Sequence, residues 1–364
     1  MSATAMVLRA PRVRPRKAAV IRQLLATSLL AAACASLPPA PAGEVALHSE
    51  TRPAMSTLVT VAVAAPPGGE LAAAVDAAFS VFSGVDGVMN EWRPGSPLSA
   101  LNASAGSGRL VPLPGDLCQV LRAGRDGAER TGGLFDPTWA ALRGVWRFGD
   151  GEPPRVPSDA EVAAACPLVS WRDLEIEPLA TPGSDAPCSA RLRRAGMQVG
   201  LGGLAKGWAV DRAVAELRRR GFRDFTVQAG GDLYASGTRG GRPWRLGVRD
   251  PRGAAGEPFA WVAISDAAFS TSGDSERFFV VDGRRYHHLV DPRTCRPAEA
   301  SRQVTVLARS ALEAEILGKA VFVLGGEDGL ELAARQGASA VIVTSANRVV
   351  ATSGLLEVVR PPTP

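Results

Sequence analysis

A glycine-rich run, Gly202-Gly203-Leu204-Ala205-Lys206-Gly207, opens a helical pattern and is the first place where this chain could do chemistry. Glycines ahead of a helix let backbone amides approach a phosphate at the positive end of the helix, and Lys206, one turn in, can add a point charge. The same residues could equally form a plain glycine-rich turn followed by a solvated lysine. Histidine is scarce, with only His48, His287 and His288 in the chain. Neighbours on a strand point to opposite faces, so only one of His287 and His288 can look into a site. Histidine is the natural base for a hydroxyl because its pKa lies near working pH. Asp136 sits in Gly132-Gly133-Leu134-Phe135-Asp136-Pro137-Thr138, a run that suits a ligand-shaped turn or an Asp-Pro cap.

These residues need a frame, and the hydrophobic pattern supplies one. Thr57 to Val63 reads as a first strand, and Glu70 to about Trp92 as a helix that Gly84 and Gly87 should break or bend. Ala209, Val210, Ala213, Val214 and Leu217 follow the helical period, with Gly221 as C-terminal cap. Strands are expected at Phe225 to Gln228, Trp261 to Ile264, Phe278 to Val281 and Arg285 to Val290. The last two are joined by the hairpin signal Asp282-Gly283. A helix from about Ala311 to Leu324 precedes strands at Ala340 to Thr344 and Arg348 to Thr352. A dinucleotide fold would need a parallel crossover beyond the glycines. Arg191 to Gln198 could be the strand before them, but hairpins dominate afterwards. The expected fold class is therefore α+β, with mixed, largely antiparallel sheets packed with helices.

The 364 residues, 46% hydrophobic and 21% charged, suit a globular enzyme with a real core. The net charge of +5 arises at one end: Arg9, Arg12, Arg14, Arg16, Lys17 and Arg22 precede any acid, leaving 35 basic against 36 acidic residues elsewhere. That balance gives nucleic acid no electrostatic foothold. The basic stretch runs into about ten mostly apolar residues, Leu24 to Ala33, then a Pro/Ala-rich run. Residues 1–42 are read as an export signal and linker, with either cleavage after Ala42 or a lipid anchor at Cys34. Residues 43–364 are read as one functional body, placed in the periplasm or tethered to a membrane. Cys118, Cys166, Cys188 and Cys295 would then meet an oxidising compartment, where three pairings are open. Small buried cysteines with one disulfide are the expectation.

The glycine run leads on to Gly230-Gly231-Asp232, Ser270-Thr271-Ser272-Gly273-Asp274 and Tyr286-His287-His288-Leu289-Val290-Asp291-Pro292-Arg293-Thr294. In this order and spacing the chain resembles the ApbE-like FAD:protein FMN transferases, from about Pro53 to about Leu324. Met55-Ser56-Thr57, where the family has a central glycine, and Trp92 to Asn102 match more weakly. The resemblance implies a T-fold-like body that cleaves the FAD pyrophosphate and attaches FMN to a Thr or Ser of a carrier protein, releasing AMP. Hydrolysis of FAD to FMN and AMP, or flavin binding without chemistry, are the alternatives. By the same resemblance Met55, Trp92, Leu134, Phe135, Asp136 and Lys206 would contact FAD, with Lys206 also beside the chemistry, and His288 would be the base.

Magnesium in this family is held between the glycine turn, here Gly203, and a helix bearing Asp and, four residues on, Thr. This chain places Glu315 and Lys319 there. Glu315 can still offer oxygen, but an ammonium has no lone pair for a metal. Two readings stay open: Lys319 sets its own charge against the pyrophosphate, or it is a surface lysine and Glu315 with backbone oxygens holds the ion. Gly200 stands where many members carry Asp, and Cys295 replaces a glycine.

Overall fold

A computed structural model describes residues 46–148, 153–178, 186–254, 257–358 and 360–363. The expected export segment, Cys34 and most of the Pro182 to Pro187 loop lie outside them. Eight strands form the main sheet: Leu47–Ala54, Thr57–Ala64, Phe225–Ala229, Asp232–Ser236, Ala267–Gly273, Ser301–Ala308, Ser339–Thr344 and Val349–Ala351. They lie side by side in chain order, and every neighbouring pair is antiparallel. The expected α+β class is what the chain adopts, and the parallel crossover of a dinucleotide fold has no place in it.

The alternating period of the strands divides their side chains between two cores. Tyr234, Ala268, Val304 and Val306 face the larger one, beneath the helices. Leu233, Ala235, Phe269 and Val343 face the smaller one, against Trp244–Arg249 and Pro258–Ile264. Phe82, Phe225 and Phe322 are fully buried, each contributing about 2–3 kcal/mol through apolar burial. The helix Ala311–Leu324, found where the sequence placed it, is buried almost all round, as a helix apolar on every face must be.

Three differences from the sequence reading have physical causes. The helix Gly69–Met89 runs unbroken through Gly84 and Gly87, because Phe82, Val85 and Met89 bury its far end and outweigh the glycine penalty. The strand before the glycine turn is Cys188–Leu192, not Arg191 to Gln198. It pairs with Val111–Leu113 and Leu174–Pro178 in a separate three-stranded sheet. The four cysteines make two disulfides, not one, Cys118–Cys188 and Cys166–Cys295.

Two helices converge on the glycine turn. Asp211, on Ala205–Arg219, accepts the amides of Ala311 (2.7 Å) and Leu312 (3.0 Å), capping the neighbouring helix from outside. Burial raises this carboxyl to about 6, against those two hydrogen bonds. Gly207 is where the helices touch: a Cβ there would lie 2.7 Å from Glu315 Oε2 and 2.8 Å from the Ala311 carbonyl. Only glycine admits that approach.

Candidate active site

One cleft of about 720 Å³ collects every residue that the sequence singled out for FAD, metal or proton transfer. Met55, Trp92, Leu134, Phe135 and Asp136 line it together with Gly203, Lys206, Glu315, Lys319 and His288. They arrive from six separate stretches of chain. Met55 and Ser56 make the tight turn between the first two strands, both with positive φ (48° and 57°). That conformation explains the glycine preference at the second position, which Ser56 here overrides.

The polar side centres on Lys206. Its Nζ lies 3.0 Å from Asp232 Oδ2 and 3.0 Å from Glu315 Oε1, and donates to the Gly202 carbonyl at 3.1 Å. Glu315 Oε2 accepts the Gly207 amide at 2.9 Å, and Asp232 Oδ1 accepts the Ser270 hydroxyl at 2.6 Å. Burial alone would lower the Lys206 pKa, but the two carboxylates overcome it and hold the ammonium firmly charged. Burial pushes Glu315 up to about 7, with Lys206 and Lys319 offsetting part of that rise. Asp232 moves the other way: burial would raise it, yet the two lysines keep it below the ordinary carboxylate range. Asp232 was visible in the glycine motif without a role; here it is the counter-ion of Lys206.

The strand Arg284–His287 ends just before His288, and the hydrogen bonds of the two histidines differ. His287 is buried edge-on to Phe322, its Nε2 at 2.8 Å from the Ala298 carbonyl. His288 lines the cleft, its Nδ1 at 3.4 Å from the Arg277 carbonyl. A proton on Nδ1 aimed at that carbonyl leaves Nε2 as the lone-pair nitrogen. Loss of solvation lowers His288 to about 4, so the half-buried imidazole is neutral at physiological pH. Its hairpin is braced by rings that sequence reasoning did not pick out: Tyr286 stacks on Phe279 (5.3 Å) and Trp146 (5.9 Å).

On the apolar side, both carboxylate oxygens of Asp136 are taken up locally. Oδ1 accepts the Thr138 amide and hydroxyl, and Oδ2 accepts the Trp171 amide at 2.9 Å. Asp136 therefore shapes the turn that presents Leu134 and Phe135 to the cleft. The mouth holds a contact the sequence did not suggest, with Arg143 lying over both Trp92 (4.5 Å) and Trp139 (4.7 Å) and paired with Glu91. Trp92 itself is 69% exposed, unusual for so large an apolar ring. Gly200 is walled in by Arg143, Trp139 and Ala140, which leaves little room for a side chain at the position where the resemblance implied an aspartate.

The residues expected to hold magnesium do not fit that ion. Magnesium requires near-octahedral oxygen at about 2.0–2.1 Å. Both Glu315 oxygens are engaged, and Lys319 Nζ reaches back to the Glu315 carbonyl at 3.2 Å and to Oε1 at 3.9 Å. The Lys319 chain lies directly against Gly203, where a Cβ would meet its Cε at 2.6 Å and its Nζ at 3.0 Å. An ammonium fills the space between the glycine turn and the helix.

Known proteins share both sequence and fold with this chain. A FAD:protein FMN transferase of Treponema pallidum is 33% identical over 305 residues, covering 81% of this chain and 83% of that protein. One from Rhodobacter capsulatus is 33% identical over 339 residues, covering 90% and 61%. The crystal structure of the ApbE protein of Thermotoga maritima has a TM-score of 0.74 at 29% identity, covering 85% of this chain and 97% of that one. The sequence pattern of the ApbE family matches residues 55–343, and with these relatives it establishes that the chain belongs to that family.

Proposed function

We propose that this protein is a FAD:protein FMN transferase, taking FAD as its substrate and a carrier protein with a Thr or Ser hydroxyl as its acceptor. The observation that carries the reading is the meeting, in one cleft of about 720 Å³, of His288, the lysine-bearing glycine turn and the apolar residues Trp92, Leu134 and Phe135. Trp92, Leu134 and Phe135 offer surface for the ring systems, and Gly202, Gly203 and Lys319 face the pyrophosphate with Lys206 behind them.

In the transfer step, the acceptor oxygen attacks the phosphorus of the FMN half while the bond from that phosphorus to the bridging oxygen breaks. The hydroxyl proton passes to Nε2 of His288, and AMP departs with the bridging oxygen. His288 can take that proton because its imidazole is neutral and oriented by the Arg277 carbonyl, although its lowered pKa makes it a weaker base than an ordinary histidine. Preorganised positive charge from Lys206 and Lys319 favours the charge that develops on the phosphate oxygens. No step is assigned to magnesium, since the residues offered to it do not fit.

Export to the periplasm, with or without a lipid on Cys34, is part of the same proposal. Two disulfides in the body support it, as such bonds persist in oxidising compartments.

The test is AMP release from FAD with a purified flavin carrier, and with the same carrier after its acceptor threonine is changed to alanine. Transfer predicts AMP and covalent flavin only with the intact carrier. Steady AMP release without any carrier would replace transfer with pyrophosphatase activity, and FAD retained uncleaved would leave a flavin binder. A His288→Ala variant should bind FAD and release no AMP; full turnover by that variant would remove the base assignment.

A further inference from the structure

We infer that this protein holds the FAD pyrophosphate without magnesium, the Lys319 ammonium taking the place the family gives to the metal. The inference rests on the transferase reading of the cleft. Three observations on the same few residues lead to it.

The first is occupancy. Lys319 leaves the helix Ala311–Leu324 and packs on Gly203, where an added Cβ would press on the end of the lysine chain, 2.6 Å from its Cε and 3.0 Å from its Nζ. Gly203, the family's backbone metal contact, here serves as the seat of a lysine side chain. The second is ligand supply. Lys206 takes one oxygen of Asp232 and one of Glu315 at 3.0 Å each, and the Gly207 amide takes the other Glu315 oxygen. A cation entering here would have to displace an ion pair between groups that are nearly fully buried on the carboxylate side, and breaking such pairs is strongly unfavourable.

The third is charge. With Asp232 and Glu315 opposite Lys206 and Lys319, the cluster is close to neutral before ligand binds, and a divalent ion would enter against two ammonium groups. A diphosphate carries the complementary charge. Lys319 is 25% exposed where it lines the cleft, so its ammonium can leave the Glu315 carbonyl for a phosphate oxygen with little desolvation. Lys206, at 22% exposure and held by two carboxylates, secures the geometry from behind.

The experiment is an FAD titration of the purified full body, read by flavin fluorescence, once in EDTA and once in excess magnesium chloride. Unmodified protein should give dissociation constants within about twofold of each other, and calorimetric titration of magnesium chloride into the FAD-loaded protein should show no stoichiometric site. In EDTA, Lys319→Thr should lose FAD affinity by about tenfold, the equivalent of about 1.4 kcal/mol, and should regain it with magnesium. Lys319→Met should lose affinity under both conditions. A tenfold tightening of FAD by magnesium in the unmodified protein, or a one-to-one magnesium site in its FAD complex, would overturn the inference and leave the transferase reading standing. Failure to bind FAD under either condition would overturn both.

Discussion

Severing Cys166 from Cys295 should destabilise the protein by a predictable amount and disturb the segment around His288 selectively. The two residues are 129 apart in sequence, and closing a loop of that length removes about 5 kcal/mol of unfolded-chain entropy at 25 °C. A body of roughly 320 residues unfolds with about 0.7 kcal/mol per degree, so the loss corresponds to about 7 °C in melting temperature. Differential scanning calorimetry of the Cys166→Ser/Cys295→Ser double variant measures it directly. The second disulfide, Cys118–Cys188, spans 70 residues, and the logarithmic dependence makes it weaker by only about 0.5 kcal/mol. Each double variant should therefore melt within about one degree of the other. A shift under about 1 °C on losing Cys166–Cys295 would refute the loop-entropy argument.

The functional consequences should separate even where the melting temperatures do not. Cys295 closes the turn that follows His288: its amide donates to the Asp291 carbonyl at 2.7 Å, and its own carbonyl accepts Trp146 Nε1 at 2.8 Å. Trp146 stacks in turn on Tyr286, two residues before His288, the proposed base. Turnover should fall when Cys166–Cys295 is removed and stay near normal when Cys118–Cys188 is removed. That second bond links the helix Gly115–Arg130 to the strand Cys188–Leu192, and neither cysteine lines the cleft. Equal losses of turnover in the two variants would contradict the positioning role.

Three further outcomes follow from the geometry. His288, lowered to about 4 in the folded protein from an ordinary value of 6.5, refuses a proton that the unfolded chain accepts. Its contribution to stability therefore falls as pH drops from 6.5 towards 4, and a His288→Asn variant should show a shallower decline over that window in pH-dependent urea unfolding. Trp92→Ala should weaken FAD binding by about fivefold through lost ring contact, with an unchanged melting temperature because the ring is exposed, as fluorescence titration and calorimetry would show. Gly207→Ala should cost about 2 kcal/mol by forcing the two site helices apart, seen as a lower urea midpoint; a neutral result would mean that the Ala311 backbone yields freely.

The fold was most legible where local and tertiary preferences agree. The Asp282-Gly283 hairpin has both residues at positive φ, 50° and 75°, as its two-residue turn demands. The strand Leu47–Ala54 was missed because its residues, LHSETRPA, lie at the sheet edge with alternate positions exposed and no apolar stripe. The helix Gly326–Arg335 was missed because it begins on glycines, Gly325 and Gly326, both at positive φ, which read locally as a breaker. Cysteine pairing depends on which distant segments meet, and spacing alone left three pairings open.

At the site, residue types announced the participants but not their allegiances. Lys206 was legible as a cation beside a phosphate turn. Its deeper commitment to Asp232 and Glu315 was not, because those partners lie 26 and 109 residues away. The same limit hid Arg143 between two tryptophans. Lys319 was different: four residues after Glu315 on a helix, it had to share a face with it, while its place against the glycine turn was implied by the family resemblance and not by periodicity. A substitution that removes a metal ligand and supplies a positive charge at the same point keeps the electrostatic demand of a diphosphate met while changing how it is met. For that reason the departure at residue 319 is consistent with a working phosphate site.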